Sequence, residues 1–265
     1  MAIAWGAVRF FRVTVHLWVI GFVFSALPAA EFLWDHPVSP ALPAHGPFAF
    51  FTQAFATWWP SGFALLAVPL LLLLCMRNLL RPARWWSALL VWVLYTSLMN
   101  RAWMAGSGGQ QLIANLLFWL IFLPADPGTR TLSAPVSILA TAAFWIIRLQ
   151  LILVYLATGL HKITGTLWLD GTAMGVVASD PAYGPGWLSD LPALATVMTY
   201  CVLAFQFLFP VAIWFARTRL PLLIIGVVFH LGTAIWIDIP EMGLAFIAAY
   251  PIWIGERDAP GWLDR

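Results

Sequence analysis

Charge is the scarcest property of this chain: Asp, Glu, Lys and Arg together make up 9% of its 265 residues, against roughly 25% in a soluble domain. So few charged side chains cannot cover a water-facing surface, which excludes an ordinary soluble globular protein. Lysine is nearly missing, with Lys162 the single example beside twelve arginines. Cysteine is limited to Cys75 and Cys201, which form no ligand motif and lie in separate apolar runs, so neither a disulfide nor a metal site is expected. Both read as small apolar packing residues. The net charge of +2 is too small to point to nucleic acid, and the basic residues are dispersed among loops with no cluster able to bind phosphate. Metal-ligand, nucleophile-elbow and phosphate-loop patterns are missing too. His16, His36, His45, His161 and His230 lack the paired spacing that would hold haem iron.

What is abundant is apolar surface. Hydrophobic residues make up 62%, and 17 tryptophans suit the boundary between lipid tails and headgroups, because the indole joins an apolar body to one polar N–H. Runs such as Leu65 to Cys75 and Leu112 to Leu123 are apolar on every face, whereas the strands of a membrane barrel would alternate. The expected fold is therefore all-α, a polytopic bundle of about eight transmembrane helices. Their spans run near Val13 to Ala30, Gly62 to Met76, Trp85 to Met99, Gln111 to Leu123, Ile138 to Ile163, Leu191 to Phe215, Leu220 to Ile237 and Met242 to Ile254. Residues 1–265 read as one transmembrane domain with no separate soluble part. The first run lacks a small-residue cleavage site before Glu31, so a retained span is expected rather than a signal peptide.

Lys and Arg are retained on the cytoplasmic side of membranes. With both termini inside, Arg9, Arg12, Arg77, Arg81, Arg84, Arg130, Arg217, Arg219, Arg257 and Arg265 all fall there. That leaves Arg101 and Lys162 outside and Arg148 within the fifth span, an arrangement expected of a bacterial inner-membrane protein. On the outer side, Trp58 and Trp59 suggest an interfacial helix in segment 31–60. Segment 164–190 holds Asp170, Asp180 and Asp190 without a basic residue. Both segments either cap the bundle or line a site.

A polar residue inside a span costs several kcal/mol unless it has a partner or a wet cavity, so these positions are the functional candidates. Arg148, Tyr155 and Lys162 recur every seven residues, which drifts only about 20° per step on a helix and places them on one stripe. Thr158 borders it. Lys162 stands at the outer end of its span against the positive-inside bias. It either snorkels to the interface or serves as a general base, because an amine can give up its proton where water is excluded and a guanidinium cannot. His161 lies about 100° away round the helix. His230 and Gln206 lie inside later spans, Asn100 and Arg101 end the third, and Asp238 and Glu241 bracket Pro240.

Taken together, Asn100-Arg101, Gly108-Gly109-Gln110, Leu117-Phe118 running to Pro124, Arg148-x-Gln150-Leu151, Val154-Tyr155-Leu156 leading through Gly159 to Lys162, Trp168-x-Asp170-Gly171 and His230 resemble the HTTM family. These are the horizontally transferred transmembrane proteins related to vitamin K-dependent gamma-carboxylase. The resemblance runs from about residue 10 to 255 and is densest over 148–171.

The resemblance implies that Lys162 is the base that deprotonates vitamin K hydroquinone or menaquinol at the periplasmic face, with O2 as oxidant and the quinone epoxide as product. Asn100 and His230 join it as catalytic candidates; Tyr155, Arg148, Arg101, Gln110, Trp168 and Asp170 are substrate-binding candidates. Arg101 replaces a histidine that is catalytic in the carboxylase, so that role is not carried over, and Gln110 replaces an aspartate of many bacterial members. The chain stops after the eighth span, without the large lumenal region that engages protein substrates, so glutamate carboxylation is not expected. The expected partners are membrane lipid and an isoprenoid quinol. The alternative is a non-catalytic accessory protein for maturation, export or immunity of a small secreted peptide, acting with that peptide or a partner membrane protein.

Overall fold

Each apolar run becomes a helix, because a backbone with little polar side-chain help satisfies its own amides best by i to i−4 bonding. The computed structural model describes residues 3–35, 62–125, 132–184 and 186–255. The expectations for His36, His45, Trp58, Trp59, Arg130, Arg257 and Arg265 lie outside them. The helices are α1 (Trp5–Ala26), α2 (Phe63–Leu80), α3 (Trp85–Arg101), α4 (Gly108–Leu120), α5 (Ala134–Lys162), α6 (Thr166–Leu169), α7 (Ala173–Ser179), α8 (Pro192–Ala212), α9 (Ala216–Ile235) and α10 (Pro240–Ala249). No strand occurs among the described residues. Pro192 and Pro240 stand at the first turns of α8 and α10, where a missing N–H costs nothing.

Among the described residues five helices are long and apolar enough to cross a membrane: α1 with the turn after it, α2, α5, α8 and α9. The expected third, fourth and eighth spans are helical but shorter. At 1.5 Å per residue α4 reaches only about 20 Å, against roughly 30 Å of hydrocarbon. The reason is local: Ser107 caps its start and turns take over after Leu120.

The chain divides into two compact units, Met1–Phe144 and Trp145–Arg265, with the division inside α5. In the first unit α2 packs on α1 and α3, and α4 packs on α3 and α1. At one end, Arg12 donates to the carbonyls of Leu123 (2.7 Å) and Pro124 (3.2 Å), joining the start of α1 to the segment after α4. One turn on, His16 Nε2 meets Asn78 Nδ2 at 3.2 Å, and the Ser87 hydroxyl and Arg77 both donate to Asn78 Oδ1. At the other end, Arg101 donates to the Trp34 and Asp35 carbonyls, and Asp35 Oδ1 accepts from the Ala64 amide. The helices therefore alternate in direction.

In the second unit α9 packs on α10 and α8, and α7 packs on α8. Ala178, Leu188 and Ala195 form a small core there with Trp168 against it.

Two expectations change. Cys75 is buried as a packing residue, but Cys201 lies on an exposed face of α8, because its side points away from the stripe of Ala195, Thr199 and Gln206 that α8 buries. The basic residues are not all dispersed either: folding brings Arg9, Arg12 and Arg81 to one cavity. They converge because antiparallel packing puts the start of α1 beside the end of α2, a proximity that spacing along the chain does not carry.

Candidate functional site

On α5 the buried positions Ala140, Ala143, Phe144, Ile147, Arg148, Leu151, Tyr155 and Gly159 recur every three or four residues, the pattern of one helix face turned inward. Half-buried Lys162 continues this stripe, while His161 is exposed. Arg148 and Lys162 are nonetheless about 21 Å apart along the axis at 1.5 Å per residue, so no single small ligand touches both.

Arg148 lies at one end of the second unit. Its Nε and one terminal nitrogen donate to the Ile252 carbonyl at 3.1 and 2.9 Å, and its guanidinium lies 4.9 Å from the Trp253 ring centre. Around this end Trp145 stacks on Trp214, which meets Trp253 edge to face.

Two turns further along α5, the Tyr155 hydroxyl meets His230 Nε2 at 2.5 Å and the Tyr250 hydroxyl at 2.6 Å. All three side chains are buried. Aromatic rings enclose them: Phe209 lies 4.3 Å from the Tyr155 ring, and Phe246 stacks on His230 at 4.5 Å. Among the described residues His230 Nδ1 is buried with no hydrogen-bond partner, unlike His16, whose Nδ1 bonds the Arg12 carbonyl one turn back. A buried ring nitrogen left unpaired is costly, which marks it as a place for a ligand or water. Glycine makes the arrangement possible, since a Cβ at Gly226 would collide with the Tyr250 hydroxyl.

Lys162 ends α5 with its Nζ 5.1 Å from the centre of the Trp168 ring. It has no carboxylate partner among the described residues. Trp168 reaches it because the chain doubles back through one turn. Gly171 at φ +83° lies against Thr196 and Tyr200 of α8, where a Cβ would come within 2.8 Å of Thr196, and Tyr200 donates to the Leu169 carbonyl.

Asp170 faces solvent and closes this turn, with its Oδ1 accepting from the Thr172 hydroxyl (2.6 Å) and amide (2.9 Å). Those two bonds hold its carboxyl below the usual carboxylate range. A depressed folded-state pKa means the turn gains this stabilisation above the ordinary carboxylate range and loses it as pH falls through the lower folded value. Hydrogen exchange at the Thr172 amide, corrected for its intrinsic rate, is therefore expected to speed up below that range in the wild type. Asp170→Asn should remove this response, and a wild-type profile flat in acid would contradict the turn.

The first unit holds its own candidate, a cavity of about 360 Å3 lined by Trp92, Asn100, Gln111, Asn115, Phe118 and Trp119 among others. Its size suits a single ring system. Asn100 Nδ2 is buried without a partner among the described residues. Gln110 also borders the cavity, but its Oε1 already accepts from the Ser107 amide and hydroxyl, completing a capping box at the start of α4. Gln110→Ala is expected to lower stability by about 1 kcal/mol through the lost cap, as read by thermal unfolding in detergent. An unchanged melting temperature with lost ligand binding would give Gln110 a binding role instead. Arg101 is committed to the backbone of Trp34 and Asp35.

Sequence reasoning missed Tyr250, Gln111 and Asn115. The last two stand four apart on α4, a spacing that puts two amides on one face of an apolar helix and was readable in advance. Tyr250 had no such signal, because only the packing of α10 brings it to Tyr155.

No curated protein matches the chain, and no solved structure does. The family described as the HTTM domain matches residues 133–257, the stretch that holds Arg148, Tyr155, Lys162, Trp168, Asp170 and His230 and leaves Asn100, Arg101 and Gln110 outside.

Proposed function

We propose that the protein is a multi-pass enzyme of the bacterial inner membrane that oxidises an isoprenoid quinol with dioxygen, with Lys162 as the base. In this reading eight helices cross or enter the bilayer, both termini are cytoplasmic, and Lys162 faces the periplasm. The observation that carries it is Lys162 itself: the single lysine of the chain, half-buried against an indole, without a carboxylate partner among the described residues, in the stretch that matches the HTTM domain.

An amine so placed can take a proton from a phenolic hydroxyl, provided the hydroxyl comes within hydrogen-bond reach. Trp168 restricts the head group to one side of the helix end. Deeper in the same unit, the Tyr155 hydroxyl between His230 and Tyr250 fixes the imidazole, leaving Nδ1 to meet a ligand oxygen or a water. In the first unit, Asn100, the third catalytic candidate, has its Nδ2 without a partner among the described residues, and with the aromatic walls of its cavity this supports a place for an oxygen-bearing ring. A quinol would supply two electrons and two protons that send one oxygen atom of O2 away as water, while its ring double bond takes up the other as an epoxide.

The test is chromatographic detection of quinone epoxide after purified protein meets chemically reduced menaquinol and air. Epoxide above the protein-free control supports the reading. None from well-folded protein overturns it and favours an accessory role in the maturation of a secreted peptide.

A further inference from the structure

Two buried hydroxyls and a buried imidazole meet in the second unit, and their protons can be counted. The Tyr155 hydroxyl touches both His230 Nε2 and the Tyr250 hydroxyl, and none of the three side chains makes another hydrogen bond among the described residues. Phe229 meets the His230 ring edge to face at 4.9 Å and Phe246 stacks on it. A charged ring in that enclosure would need a carboxylate, and none bonds it among the described residues. The neutral trio therefore holds three protons: one on each tyrosine and one on the imidazole.

One arrangement pairs both hydroxyl protons. Tyr250 donates to Tyr155, Tyr155 donates to His230 Nε2, and the ring proton is left on Nδ1. When Tyr155 donates to Tyr250 instead, the Tyr250 proton has no acceptor; when Tyr155 accepts from both neighbours, its own proton has none. Each of those alternatives leaves two buried polar groups unpaired, where the first leaves only His230 Nδ1. The bond at one ring nitrogen dictates the state of the other. His230 Nδ1 is thus an N–H donor lacking an acceptor, not a base.

With the quinol reaction as premise, we infer that this N–H holds an acceptor oxygen of the quinone ring, a carbonyl or a phenolate. Tyr155 and Tyr250 are the positioning residues that keep the proton on Nδ1. Tyr155 stands about 10 Å before Lys162 along α5, so the amine and the imidazole address different oxygens of the ring. As Lys162 takes a proton from one hydroxyl, charge spreads to the opposite oxygen, where an N–H already in place is stabilising without reorganisation.

The test is solid-state NMR of the full chain in phosphatidylcholine bilayers, with 15N in histidine and 13C at tyrosine Cζ, so that His230 is recognised by its contact with a tyrosine. Wild type is expected to show Nδ1 protonated and Nε2 unprotonated. Added menaquinone should shift the Nδ1 proton downfield, whereas squalene, an isoprenoid without oxygen, should not. Tyr155→Phe should release the ring to a mixture of tautomers, and Tyr250→Phe should keep the proton on Nδ1, because Tyr155 still donates to Nε2. Wild type protonated at Nε2 overturns the inference, a result that needs no variant to fold. An unchanged tautomer in folded Tyr155→Phe overturns the positioning role. An Nδ1 proton that saturating menaquinone leaves unmoved overturns the ligand assignment and makes water its partner. Neither measurement needs turnover, so epoxide from a protein whose Nδ1 ignores menaquinone would sink this inference alone.

Discussion

Lys162→Met is expected to reduce epoxide formation from menaquinol by at least about 100-fold, the usual contribution of a positioned general base, while leaving the melting temperature nearly unchanged. Methionine keeps the length and the apolar stem but removes the amine. The side chain is only half-buried and makes no hydrogen bond or ion pair among the described residues, so little of the fold depends on its charge. What it gives up is the contact with Trp168, worth about 0.5–1 kcal/mol at an exposed site. Lys162→Arg separates charge from proton transfer: guanidinium keeps the cation over the indole but does not deprotonate, so it should be nearly as inactive as methionine. Full activity in either folded variant would remove Lys162 from the chemistry. Activity in Lys162→Arg alone would reduce it to a cationic contact.

The largest expected loss of stability comes from Gly243→Ala. A Cβ there would collide with the carbonyl oxygen of His230 and lie 3.1 Å from Ala234 Cβ. The obstacle is backbone, so no side-chain rotation relieves it, and α9 and α10 must move apart. Overpacking of this kind costs about 3 kcal/mol at the upper end of its ordinary range. The displacement would also pull His230 from Tyr155, so activity should fall with stability. Gly232→Ala on α9 is the control: its Cβ would meet nothing closer than Trp236 at 3.7 Å, and alanine favours the helix by up to about 1 kcal/mol. Unfolding of both variants in mixed micelles reads the difference. Equal stabilities would show that the helices do not approach at Gly243 as closely as the structure has them.

Much of the helical layout was legible in advance because each helix is announced locally. Pro192 and Pro240 mark starts, Ser107 with Gln110 forms a capping box, and apolar runs on every face leave no other way to satisfy the backbone. The stripe of Arg148, Tyr155 and Lys162 was equally legible, since it needs only the periodicity of one helix. The separate surroundings of its three members were not. Seven-residue spacing aligns side chains along a face but also sets the outer two about 21 Å apart, and neighbouring helices decide what each one meets.

The sequence by itself determined that the chain is apolar, helical and suited to a membrane, and it singled out Lys162, because composition and local hydrogen bonding depend on residues close along the chain. Only the tertiary structure decided that Tyr155 joins His230 and Tyr250, that Trp168 folds back over Lys162, and that Arg9, Arg12 and Arg81 share one cavity. The first and the last of these are meetings of residues distant in sequence, set by how closely glycines let helices approach and by which ends antiparallel packing brings together, while the second depends on a turn that packs against α8.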